Sequence, residues 1–187
     1  YFPHSVAVAV MPLGNFGTGG IVIDYSTVSN GSSNLATELA LAFSQGFYLQ
    51  KDRNSTLAFG YSIKYLQVDY GLSAGPSGDG SDGIDLGTSR TLGVDIGVTA
   101  TLRDRHRLGV QVLNFNRPDL GQANYAVELP RAVKVGIAYS PYDLVWTNFS
   151  LVYSAGHIPQ YGAGLEYELL PGIVILSGVQ SNPNRLG

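Results

Sequence analysis

Gly71-Leu72-Ser73-Ala74-Gly75 has the spacing of a G-x-S-x-G nucleophile elbow, and aspartates and His157 follow it in the chain order of a hydrolase triad. An elbow works by presenting its serine on a sharp turn from a strand into a helix. Here the segment runs on into Gly75-Pro76-Ser77-Gly78-Asp79-Gly80, which does not start a helix, so Ser73 reads as a loop residue and no catalytic residue is assigned. Asp79, Asp82 and Asp85 in the same loop offer oxygen ligands, but without EF-hand spacing or its closing glutamate. His4, His106 and His157 stand on separate connections and cysteine is absent, so neither a transition-metal site nor a disulfide framework is expected. No phosphate loop or dinucleotide fingerprint occurs, and no cofactor is expected.

The remaining chemistry is charge. Arg103-Asp104-Arg105-His106-Arg107 is a compact basic turn suited to lipid phosphate or a partner, and more simply a charged hairpin tip. Three sequons begin at Asn30, Asn54 and Asn148; such triplets are common by chance. Glu38, Lys64, Asp95, Lys134 and Glu166, with Glu168, are isolated charges on otherwise small, neutral faces. What those faces are depends on the elements that carry them.

The elements are strands. In residues 91–103, Leu92, Val94, Ile96, Val98, Ala100 and Leu102 alternate without error with Thr, Gly, Asp and Arg. The same period of two recurs in 56–65, 132–139, 147–153 and 160–169, and less regularly in 5–11, 21–27, 108–115 and 173–180. Residues 35–49 also show a helical stripe, but Thr37, Leu39, Leu41, Phe43, Phe47 and Leu49 keep one strand phase, and Gly46 would sit badly in a helix. Ten strands in succession predict an antiparallel meander. The connections 12–19, 51–54, 103–107, 141–144 and 170–172 are mostly tight, whereas among 28–34, 71–90, 116–126 and 155–159 two are long. Alternating short and long connections are the habit of up-and-down outer-membrane barrels.

Composition points the same way. Charged residues are 13% of the chain, about half the usual share, and the formal net charge of −3 gives no support to a nucleic-acid partner. No apolar run reaches the length of a spanning helix. One strand phase is Leu, Val, Ile, Phe, Ala and Tyr; the other is Gly, Ala, Ser and Thr with the isolated charges. A soluble sheet would put Lys and Glu on its wet face. The pattern therefore predicts a transmembrane β-barrel whose greasy stripe, including Phe59, Ile96 and Ile137, points into lipid. Its lumen face would carry Glu38, Lys64, Asp95, Lys134 and Glu166, paired into a network around a plug or path, or stapling the wall. Tyr65, Tyr70, Tyr139, Tyr142, Trp146, Tyr153, Tyr161 and Tyr167 are placed to form interfacial girdles. The alternative is a soluble β-sandwich binding module with Lys64 and Glu166 in bulk water.

Several segments, taken in order, carry a resemblance. Residues 5–14 (SVAVAVMPLG), 57–66 (LAFGYSIKYL), 94–97 (VDIG), 108–114 (LGVQVLN), 129–139 (LPRAVKVGIAY) and 178–183 (GVQSNP) are similar to successive pieces of the PorV/PorQ family of outer-membrane proteins, relatives of the FadL-type fatty-acid transporters. The resemblance spans nearly the whole chain. It implies a barrel of about fourteen strands, no enzymatic activity, and location in a Gram-negative outer membrane. It also implies passage of hydrophobic compounds, or the holding and escort of secreted surface proteins; the partners are then the lipid bilayer, lipopolysaccharide, a hydrophobic ligand or a secreted protein. The family's Asn-Pro-Ala-Gly element is not in this sequence, so no ligand residues carry over. Strand parity, with tight turns periplasmic, predicts that residues 1–187 form one barrel domain incomplete at both ends.

Overall fold

The computed structural model describes residues 3–30, 33–73, 75–76, 78, 82–121, 126–181 and 185–186. It is all-β apart from one 3₁₀ turn, Gly14–Phe16. The strands are β1 (His4–Pro12), β2 (Thr18–Asn30), β3 (Ser33–Lys51), β4 (Ser55–Asp69), β5 (Thr88–Leu102), β6 (His106–Leu113), β7 (Ala132–Tyr139), β8 (Val145–Ser154), β9 (Gln160–Leu170), β10 (Ile173–Gln180) and the two-residue β11 (Arg185–Leu186). They lie in one sheet in chain order, β1 to β11, and among the described residues the first and last strands are not paired with each other. The ten long strands are the ten predicted from periodicity, and the ambiguous 35–49 segment is strand throughout. Its aromatic members Phe43, Phe47 and Tyr48 suit a pleated surface, and Gly46 has room there, its nearest neighbour across the ladder being the Phe59 carbonyl at 3.8 Å.

One connection differs from expectation. Residues 28–34 are predicted as a loop, yet β2 runs to Asn30 and β3 starts at Ser33. The strands therefore reach further into this connection than apolar alternation alone marks, because Ser, Thr and Asn at 26–30 carry no periodic apolar signal. Residues 31 and 32 lie outside the described residues.

Backbone contacts divide the chain into two compact units, 1–45 with 62–94 and 116–129, and 46–61 with 95–115 and 130–187. In the first, β1 pairs antiparallel with β2, setting Val6, Val8 and Val10 opposite Asp24, Val22 and Gly20. Ile21, Ile23 and Tyr25 therefore point to the other side of the ribbon. Between β4 and β5 an isolated antiparallel bridge joins Leu72 and Asp85. Loop 116–129 is closed by an Asp119–Glu128 bridge, with the Asp119 carboxylate accepting from the Gly121 and Val127 amides at 2.7 Å each.

In the second unit the register is continuous from β5 to β10. Ala100, Leu108, Ile137, Phe149, Ala163 and Val179 are successive cross-strand partners, and the adjacent row is Thr99, Gly109, Gly136, Ser150, Gly162 and Gln180. Because neighbouring residues point to opposite sides, the unit has one apolar and one small polar face. Its tight turns are adjacent: the Arg103 amide donates to the Asn54 carbonyl, Ser140 to Arg105 and Glu168 to Leu144. Leu144 closes the turn 140–144 with φ +71°, a left-handed conformation that costs a side-chain-bearing residue about 1 kcal/mol. Its side chain is exposed. Leu144→Gly is expected to raise the urea midpoint, worth up to about 1 kcal/mol.

Candidate functional site

The distribution of accessibility is inverted relative to a protein with a dry core. Among the described residues Leu120, at 8% exposed, is the single buried large hydrophobic, and no side chain is fully buried. In β9, Tyr161, Ala163, Leu165, Tyr167 and Leu169 are exposed, while Gln160, Gly162, Gly164, Glu166 and Glu168 are half-buried. In β2, Ile21, Ile23 and Tyr25 are exposed whereas Val22, Asp24 and Ser26 are less so. In β5 the pattern holds in part: Leu92, Val98 and Leu102 are exposed and the polar-phase Ser89, Gly93 and Asp95 are buried, whereas Val94, Ile96 and Ala100 are half-buried and the polar-phase Thr99 is exposed. Of the greasy stripe, Ile137 is 52% exposed; Phe59 and Ile96 are half-buried.

The polar face of the second unit is built by small residues. Gly162 and Gly164 face Ser150 and Asn148, whose side chains lie over them: a Cβ on Gly164 would meet the Asn148 amide oxygen at 2.7 Å, and one on Gly162 the Ser150 hydroxyl at 2.7 Å. Together with Gln160, Gly178 and Gln180 these residues line a recess of about 580 Å³. Its polar groups are hydroxyls and amides, uncharged and able to donate and accept, and Val152, Leu165, Leu176 and Val179 give the rest of the lining an apolar character. On the same face Trp146 stands opposite Glu166, away from the apolar phase in which an interfacial girdle is expected, and the Arg107 guanidinium lies 3.9 Å from the Trp146 ring centroid, a cation–π contact.

The five predicted lumen residues are shared between the units. In the first, Glu38 accepts from the Ser26 hydroxyl at 3.4 Å, and Lys64 lies two residues from Ser62, whose hydroxyl meets that of Ser44 at 2.9 Å. In the second, Asp95 is buried and accepts from the Asn114 amide at 2.9 Å; Lys134 is exposed and stands between Gln111 and Val152; Glu166 is half-buried beside Trp146. By register Asp95, Lys134 and Glu166 point to the same face.

Sequence reasoning missed two residues that matter to the wall. Asn116, in the first unit, donates to the Leu92 carbonyl at 2.7 Å and accepts from the Val94 amide at 2.9 Å, so a side-chain amide completes the β5 backbone ladder. In the second unit Arg131 donates to the Phe115 carbonyl and stacks on the Phe115 ring at 5.3 Å. Neither carries a periodic signal. Ser73 sits between β4 and β5 with its hydroxyl accepting from the Ile84 amide at 2.9 Å, in a strand-like setting rather than at an elbow. His157 contacts the Ala155 carbonyl at 3.1 Å through Nδ1. Asp79 lies outside the described residues, and the Asp85 carboxylate is taken by the Gly87 amide at 2.8 Å.

No known protein-family model matches the chain, and no curated protein matches it.

Proposed function

We propose that this chain forms the wall of an outer-membrane β-barrel of the FadL/PorV type, serving passage of hydrophobic compounds or the anchoring and escort of secreted surface proteins. The observation that supports the reading is the inversion seen most clearly in β9 and β2 and partly in β5, where the apolar phase is exposed and the Gly-, Ser- and Asp-bearing phase is the less accessible one, together with the exposure of apolar residues on both sides of β1 and β10. Contiguous exposed apolar surface of this extent needs a cover. Hydrocarbon suits it, because ten antiparallel strands satisfy their backbone groups within the sheet and closure would remove the last edges. Tyr139, Tyr142, Tyr153, Tyr161 and Tyr167, exposed near strand ends, suit the interfacial zones.

Two measurements on the intact protein test this. It is expected in the membrane fraction after carbonate washing, and to run as a compact band before boiling and a slower one after. Recovery from the aqueous fraction without detergent would refute the reading in favour of a soluble β-sandwich. A lipid-like molecule retained through purification would favour transport; a secreted protein held on the loops would favour escort.

A further inference from the structure

We infer that the tight-turn rim of the second unit is a binding surface for anionic phospholipid headgroups, an inference that rests on the membrane reading above. Three turns, 52–54, 103–105 and 140–144, are linked to one another by the Arg103–Asn54 and Ser140–Arg105 backbone hydrogen bonds, so they form one continuous edge. That edge, with its flanking strand ends, carries Lys51, Arg53, Arg103, Arg105 and Arg107, all exposed.

Only Arg105 is matched by a carboxylate: it donates to Asp143 at 3.0 Å and to the Pro141 carbonyl at 3.3 Å. Among the described residues Lys51, Arg53, Arg103 and Arg107 have no carboxylate within ion-pair distance, although Asp52, Asp104 and Glu168 are close in sequence or in the rim. Asp52 is occupied by Gln50 and Ser55. Lys51 rests on an aromatic face, 5.0 Å from the Tyr48 centroid; Arg107, 3.9 Å from the Trp146 centroid, stands at the rim end of the polar face and reaches the same edge from that side. Such stacking steers a cation while leaving its donors open. Exposed Tyr139 and Tyr142 stand on the same edge, and His106 stacks on Tyr139 at 4.8 Å.

Aromatic rings beside unmatched Lys and Arg are the chemistry of the headgroup layer, where guanidinium groups hold phosphate oxygens through paired hydrogen bonds. The loops of the first unit are net acidic, Asp69, Asp82, Asp85, Asp119 and Glu128 against Arg90 and Arg117, whereas the rim sets its five cations against Asp52, Asp104, Asp143 and Glu168. Anionic lipid is therefore expected at the tight turns and not at the long loops.

The test uses the full chain refolded into phosphatidylcholine vesicles with and without phosphatidylglycerol, with heat-modifiable mobility reporting insertion and native mass spectrometry reporting retained lipid. Wild type is expected to insert in both and to retain phosphatidylglycerol selectively. Each cation contributes about five-fold near a charged surface, so joint replacement K51Q/R53Q/R103Q/R107Q is expected to abolish the selectivity. The R90Q/R117Q control is expected to keep it. Equal retention by the fourfold variant, equal loss in the control, or displacement by millimolar inorganic phosphate would overturn the headgroup inference while leaving the membrane reading intact. Failure of wild type to insert into phosphatidylcholine alone would end both. Should the fourfold variant not insert, wild type decides: its selectivity is expected to fall with added salt, and salt-independent retention would overturn the inference.

Discussion

Val110→Lys is expected to cost about 2–4 kcal/mol of folding stability in a bilayer and to reduce the compact, heat-modifiable band sharply. Val110 lies midway along β6, in the apolar row with Val98, Val135, Leu151 and Tyr161. Lysine there would place an ammonium near the centre of the hydrocarbon on the proposed reading. Position along the strand supplies the control. Leu102 shares the apolar phase but adjoins the turn, where Leu102→Lys is expected to cost at most about 1 kcal/mol because the charge reaches the interface. Gln111 points to the other face of β6 directly opposite Lys134, and Gln111→Glu, a carboxylate facing that ammonium, is expected to change stability by less than about 1 kcal/mol. Urea titrations in lipid vesicles would measure all three. A flat profile near zero would mean that the exposed face meets water, and the membrane reading would fall.

The strands were legible because their signal is local. Period two in β5, β7 and β9 needs no knowledge of a partner, and Gly46 together with the phase of Phe43, Phe47 and Leu49 was enough to settle β3 against a helix. What was not legible depends on pairing. Val6, Val8 and Val10 belong to the side of Asp24 through the register of β1 with β2, which their own alternation leaves undetermined. Asn116 acquires its role because β6 stops at Leu113 while the β5 backbone at Leu92 and Val94 still needs partners. Arg107 and Trp146 are 39 positions apart and meet only because β6, β7 and β8 are adjacent. The predicted lumen charges were legible as a phase, and their separate duties were not: an ordered hydrogen-bond partner distinguishes Asp95 from Lys134, and that partner is an amide whose place is set by the end of another strand.

Asp95→Ala is expected to destabilise the protein by about 1–3 kcal/mol, because it strips a half-buried amide of its charged acceptor. Asp95 is 7% exposed, and its carboxylate takes the hydrogen bond from the Asn114 amide at 2.9 Å. Asn114 has φ +51° at the point where the chain leaves β6, and its side-chain amide donates to the Pro130 carbonyl at 3.1 Å. The carboxylate thus fixes a left-handed residue that redirects the chain and joins it to the segment entering β7. Asp95→Asn keeps an oxygen acceptor of the same reach, loses the charge-assisted part of the bond, and is expected to recover about half of the loss. Lys134→Gln, at an exposed position on the same face, is expected to leave stability within about 0.5 kcal/mol. Unfolding midpoints of the three variants separate a charge that staples the wall from one that faces a path: Asp95 belongs to the first group if its alanine variant unfolds early. Wild-type stability in Asp95→Ala would show instead that water replaces the carboxylate at Asn114, and the residue would join Lys134 as a lining charge.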